Sequence, residues 1–295
     1  MDTVTTGIPV PPVTAARGMT LSREIDDYPG GIIIPVDKPW RWTSADVIRK
    51  VKWAACRHFG RKNLKVGHAG TLDPLATGVL LVCIGKATKL SQALQAEGKE
   101  YLAGVNFGAT TPSYDREKDI DRRYDCSGVS RESIEKVLPG FLGEQEQVAP
   151  LFSAKSVDGV RAYEMARREY KAALKDGGAF DHGAAELLSR QKITISAITL
   201  ESWEPEGNVT PMEPAPEGRF SPRINVIETA GLGLPRAMVR VACSKGTYIR
   251  ALARDLGEAL DSGAFLDSLR RTRSGAFDVA DALTVSQAMD ILKTT

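Results

Sequence analysis

Residues 67–84 constrain this chain more than any other stretch. Val79-Leu80-Leu81-Val82-Cys83-Ile84 is an unbroken apolar run with the length and β-branched content of a core strand. Its approach, Gly67-His68-Ala69-Gly70-Thr71-Leu72-Asp73-Pro74-Leu75-Ala76-Thr77-Gly78, holds one carboxylate among glycines and a proline. Glycine opens backbone shapes closed to other residues, and proline fixes the turn after the acid. Asp73 is therefore expected on a rigid loop built from Gly67, Gly70, Pro74 and Gly78, against a core strand, which suits a precise active site. An Asp that only caps a turn is the plainer alternative for any single acid in such a loop.

With 295 residues and 42% hydrophobic content, the chain can hold one large domain or two ordinary ones around a sizeable core. No stretch approaches a membrane-spanning helix in length. A net charge of +2 is too mild to argue for a nucleic-acid partner, but its distribution is uneven. Lys38 to Lys65 carries nine Lys/Arg and a single acid, Asp46. That excess suits phosphate contacts, and on charge alone a solvated helix face is an equal reading. Cys56, Cys83, Cys126 and Cys243 are scattered, and His58, His68 and His182 show no zinc spacing, so no bound metal is expected. Cys83 and Cys243 lie in apolar runs and read as core residues. No signal-peptide pattern opens the chain, which points to a reduced, cytoplasmic setting. Residues 1–30 are rich in Pro, Thr and Gly and read as a disordered tail, of which 1–18 precede a second possible start at Met19.

Gly31–Val36 reads as a strand. Thr43-Ser44-Ala45-Asp46 has capping-box form and opens a helix carrying Val47, Ile48, Val51 and Ala55, which stops near Gly60. Further strands are expected at Tyr101–Phe107, Lys192–Trp203 and Met238–Cys243, with helices at Ser130–Leu138 and Ala162–Leu174. Residues 108–123 read as a polar stretch. Six prolines between 204 and 235 mark a loop-like insertion. Ser244-Lys245-Gly246 turns into a helix with Leu252, Leu256 and Leu260 on one face, ended near Gly263. This order of elements suggests a single α+β domain over 31–295 with a mixed, largely antiparallel sheet.

Five segments, in order, resemble the motifs of the TruB family of bacterial tRNA pseudouridine-55 synthases. They are Val36-Asp37-Lys38-Pro39 with Thr43-Ser44, the 67–80 loop, Lys99-Glu100-Tyr101, Cys243-Ser244-Lys245-Gly246-Thr247-Tyr248-Ile249-Arg250, and Leu269-Arg270-Arg271. The resemblance implies a pseudouridine synthase-like fold with helices flanking the sheet and an RNA-binding cleft. It implies an isomerase that breaks the C1′–N1 bond of the T-loop uridine at position 55 of tRNA, turns the base, and joins C1′ to C5. The change is redox-neutral and needs no cofactor. The implied partner is tRNA through its T-arm, with no obligate protein partner and a monomeric enzyme.

By the same resemblance Asp73 is the essential acid, whether it attacks C1′, adds to C6 or removes a ribose proton. Arg250 is its partner, keeping the carboxylate charged and directed. Tyr248 lies against the uracil, Tyr101 stacks on the base, His68 supports or replaces the flipped base, and Leu269 touches the uracil. Lys38 either contacts phosphate or braces the catalytic loop. Two departures stand out. Arg41 occupies a position where the family usually has glycine, which implies either a reshaped turn or a direct RNA contact. The chain also ends soon after Ala282-Leu283-Thr284-Val285, leaving no room for the small C-terminal RNA-binding (PUA) domain of many relatives. Two rival functions are a tRNA-folding chaperone or RNA-binding module on the same scaffold, and a glycoside- or base-cleaving enzyme. The last favours two catalytic carboxylates, and no second acid stands in a comparable motif.

Overall fold

The structure, a computed structural model, describes residues 10–153, 156–157, 160–176, 180, 190–207, 224–229 and 231–293. Expectations for residues 1–9 and for most of the Pro-rich insertion lie outside these. The stretch read as one catalytic domain contributes to two compact units. One comprises Met1–Glu97 with Thr272–Thr295, the other Gly98–Arg271. Among the described residues no helix is long and apolar enough to cross a membrane.

The N-terminal part of the first unit contributes β1 (Val13–Thr14), β2 (Ile32–Lys38), β3 (Val66–His68) and β4 (Ala76–Ile84). β4 pairs antiparallel with both β2 and β3, and every one of its residues is buried, as the apolar run requires. Gly67 and Gly78, expected in the loop, belong to β3 and β4. Gly78 keeps a loop-like backbone inside its strand, with φ 101°, as does Gly70 in the loop proper, with φ 97°. Within the segment read as a disordered tail, β1 pairs parallel with β2, and Ala15 and Leu21 are buried. Backbone pairing secures this strand, so its Pro/Thr-rich composition gave no apolar signal.

Helix α1 (Ser44–His58) starts at a true capping box. The Thr43 hydroxyl accepts from the Asp46 N–H, and the Asp46 carboxylate accepts from the Thr43 N–H. Its inner face buries Val47, Val51, Ala54 and Ala55, each valine stabilising by about 1.5–3 kcal/mol. A short helix α2 (Ser91–Ala96) precedes the second unit.

The second unit contains β5 (Lys99–Phe107), a ribbon of β6 (Ala109–Thr110) with β7 (Arg122–Arg123), helix α3 (Arg131–Val137) and β8 (Gly143–Gln147). A second ribbon, β9 (Ser156–Val157) with β10 (Val160–Arg161), leads into α4 (Ala162–Asp176). Then come β11 (Gln191–Glu204), β12 (Arg236–Cys243), α5 (Ile249–Ala259) and β13 (Ala264–Ser274). The order β5-β12-β11-β8 is antiparallel throughout, and β13 lies on the other side of β5. The chain returns to the first unit through β14 (Phe277–Asp278), paired with the end of β13, and α6 (Val285–Asp290). The expected α+β class with mixed, largely antiparallel pairing holds.

Strand β13 contains an ion pair that is itself part of the core. Asp267 and Arg236 are 5% and 7% exposed, and the guanidinium donates to both carboxylate oxygens, at 2.5 and 3.2 Å. Gly104 in β5 makes room for it. A Cβ there would stand 2.1 Å from Asp267 Oδ1, so no side chain fits. A buried charge is tolerable only when paired in this way.

Candidate functional site

The Asp73 turn is fixed from both sides through its backbone. Before it, the buried Ser44 hydroxyl at the start of α1 accepts from the Leu72 N–H at 3.0 Å and donates to the Leu72 carbonyl at 3.1 Å. After it, Lys38 Nζ donates to the Pro74 carbonyl at 3.2 Å, and also to Pro39 at 3.1 Å and Trp42 at 2.5 Å. The Asp73 carbonyl accepts from the Ala76 N–H at 3.1 Å, closing the turn into β4. Asp73 itself is half-buried. Ser44 stood in the Thr43-Ser44 motif without an assigned role, and its contact with Leu72, 28 residues away, is visible only in three dimensions.

Lys38 is 0% exposed. An ammonium taken wholly out of water is costly unless its protons are bonded, and here it serves as a tie between the end of β2 and the Asp73 turn. Lys38→Met, similar in length but without donors, is expected to cost about 2–4 kcal/mol in the absence of RNA. The test is a chemical-denaturation curve, and a midpoint matching that of the unsubstituted protein would leave phosphate contact as the better account of this lysine.

Arg41 has φ 61°, in the left-handed region that costs a residue with a side chain about 1–2 kcal/mol. The turn thus keeps the backbone form that suits glycine, with an arginine imposed on it. The guanidinium lies 5.7 Å from the Trp40 ring centroid. His68 is half-buried at the end of β3, in register with Val82 of β4.

In the second unit, Arg250 is 5% exposed on the first turn of α5. It donates to the carbonyls of Ser113 at 3.1 Å and Phe152 at 3.0 Å, and its Nε lies 3.7 Å from Asp115 Oδ2. Asp115 in turn organises its own loop. Its Oδ1 accepts from the Ser113 hydroxyl at 2.6 Å and the Glu117 N–H at 2.9 Å, while its carbonyl accepts from the Thr111 hydroxyl at 2.7 Å. The stretch 108–123, read as polar, is buried from Gly108 through Arg116. Tyr114 in it takes φ 55°, and burial pushes its phenol upward from the usual tyrosine range. Asp115 went unassigned because a polar run carries no burial signal of its own.

Tyr248 is the N-cap residue of α5. Gln147 grips its backbone, accepting from the N–H at 2.9 Å and donating to the carbonyl at 3.2 Å. The Tyr248 side chain packs against the cluster containing Leu151, Phe152 and Phe180. Tyr101 lies in β5 opposite Val241, and Leu269 in β13, each 9% exposed. Burial pushes the Cys83 and Cys243 thiols up to about 11, which keeps them protonated at neutral pH and fits their reading as core residues.

Residues 57–179 match the profile of the TruB family pseudouridylate synthase N-terminal domain, and residues 250–295 that of the tRNA pseudouridylate synthase B C-terminal domain. The chain is 43% identical over 259 residues to tRNA pseudouridine synthase B of Phocaeicola vulgatus, covering 88% of this chain and 92% of that protein. It is 39% identical over 256 residues to the protein of that name in Thermus thermophilus, covering 85% and 75%. Among solved structures it resembles a chain of a Cbf5-Nop10-Gar1 complex, with a TM-score of 0.54 and 28% identity over 88% of this chain. It spans about half, 54%, of that longer chain.

Proposed function

The chain belongs to the TruB family of pseudouridine synthases, and from that premise we propose that it converts the T-loop uridine of tRNA, position 55, to pseudouridine with Asp73 as the essential acid. Pseudouridine formation in tRNA rests on identity to the tRNA pseudouridine synthase B proteins along most of both chains. The finer assignment is supported chiefly by one observation: the only acid in the 67–80 loop stands between two residues whose backbones are separately clamped, Leu72 by Ser44 and Pro74 by Lys38. A carboxylate held this way needs no reorganisation when the substrate arrives, which is how a site lowers a barrier.

Chemistry on a base requires taking it out of the stack. Asp73 acts on the extruded nucleotide as a carboxylate. Tyr101 stacks on the uracil and Tyr248 lies against it, its main chain held by Gln147. His68 supports the flipped base and Leu269 contacts the uracil. Lys38 serves the reaction by bracing the turn, and Arg250 is a positioning residue for the acid. Overall one C–N bond breaks, one C–C bond forms, and the C5 proton is replaced by one on N1, so the product is an isomer of the substrate.

Incubation with an unmodified tRNA transcript, followed by mass mapping of nuclease fragments, tests the assignment. The expected product is a single pseudouridine in the T-loop fragment, and a transcript with cytidine at position 55 should yield none. Free uracil would instead mark hydrolysis at C1′, and bound but unchanged tRNA would mark a folding module. Either result, or a product at another site, overturns the proposal.

A further inference from the structure

The basic stretch Lys38–Lys65 separates in the structure into charges that are engaged and charges that are open. Lys38 is buried against carbonyls, Arg49 pairs with Asp46, and Arg61 lies 3.2 Å from Asp26. Lys50, Lys52, Arg57 and Lys62 are exposed, with no carboxylate partner among the described residues. Among them stands Trp53, which is 59% exposed although it is a large aromatic in the middle of α1. The core-facing side of α1 is already supplied by Val47, Val51, Ala54 and Ala55, and this indole lies outside it.

Helical spacing puts Arg49 and Lys50 one turn before Trp53 and Arg57 one turn after it, all on the solvent side. The Arg57 guanidinium lies 4.9 Å from the indole centroid, stacked on the ring instead of paired with an acid. A lone exposed apolar side chain needs no explanation. An exposed tryptophan surrounded by cations, one of them already stacked on it, is a different object. Aromatic platform and positive groove together are what a nucleic-acid strand requires, the ring taking a base and the cations its phosphates.

We propose that the outer face of α1 is an RNA-docking surface, where an unpaired base of the tRNA substrate stacks on Trp53 and neighbouring phosphates lie on Lys50 and Arg57. This rests on the tRNA reading above. The placement suits it: Ser44, at the start of α1, holds Leu72 beside Asp73. Trp53 follows nine residues later, about 14 Å along the helix axis at 1.5 Å per residue. That span is small beside a tRNA arm. An anionic membrane would also be drawn by the charge, but the apolar face of α1 is packed inside the protein, leaving one indole to insert.

The test is equilibrium binding of unmodified tRNA to the full chain over a range of salt concentrations. Trp53→Ala should raise Kd about tenfold, within the range of one lost base stack, and leave the salt slope unchanged. Trp53→Phe should recover most of the affinity. Lys50→Gln combined with Arg57→Gln should lower the slope of log K against log salt by roughly 1.4, two phosphates at about 0.7 each on a single strand. Circular dichroism checks that the variants stay folded, as expected for exposed positions. A Kd within twofold for Trp53→Ala, or an unchanged slope for the double variant, overturns the docking surface. So does Trp53-dependent binding to phosphatidylserine vesicles with tRNA affinity unmoved. These readouts are separate from the reaction: a T-loop pseudouridine formed with affinity indifferent to Trp53 sinks this surface alone, whereas no pseudouridine at all sinks the reading beneath it.

Discussion

Asp73→Asn is expected to lower the rate of pseudouridine formation by more than about 10⁴-fold, roughly 5.5 kcal/mol in the barrier, while the affinity for tRNA stays close to that of the unsubstituted protein. Asparagine has the size and shape of aspartate but neither its charge nor its basicity. The turn that carries it is held through the Leu72 and Pro74 backbones by Ser44 and Lys38, so the substitution should leave the geometry in place. Binding should draw on phosphate and base contacts made by other residues. Asp73→Glu keeps the charge but moves it by one methylene on a turn that does not yield, and should lose about 10²-fold. Single-turnover rates and equilibrium binding, measured side by side, separate the two effects. Turnover by the Asn variant within tenfold of the original would remove Asp73 from the chemistry.

The sequence was most legible where local rules and burial agree. β4 was plain from Val79 to Ile84, and α1 from its capping box and the spacing of Val47, Val51 and Ala55, with its end near Gly60. β13 was hidden: its Ala-Phe-Leu-Asp-Ser-Leu-Arg-Arg-Thr-Arg-Ser run looks too charged for a core strand, and pairing of Asp267 with Arg236 makes burial of that carboxylate possible. β8, Gly-Glu-Gln-Glu-Gln, has no apolar alternation because among the described strands it pairs with β11 alone, at one side of its sheet. The residues around the site divide the same way. Asp73 was legible as a candidate through its glycines and proline. Ser44 and Gln147 act through bonds to residues far away in sequence, which neither spacing nor composition encodes.

Arg250→Ala should damage both folding and rate, and the two can be told apart. In the structure the guanidinium holds two carbonyls, Ser113 and Phe152, and faces the Asp115 carboxylate at 3.7 Å. Removing it takes a cation from beside a carboxylate that is only 7% exposed, a change that typically costs about 3–5 kcal/mol. Arg250→Lys should recover only part of this, since a single ammonium cannot reach three partners that a planar fork serves together. The rate, measured at a temperature where the variant is folded, should still fall at least a hundredfold, about 2.7 kcal/mol. Asp115→Asn added to Arg250→Ala removes the stranded charge and should return about 1–2 kcal/mol of stability. If Arg250 positions the acid, the rate of that double variant stays low as its stability recovers. A rate that returns along with stability would make Arg250 a purely structural ion pair, and the positioning role would pass to another residue.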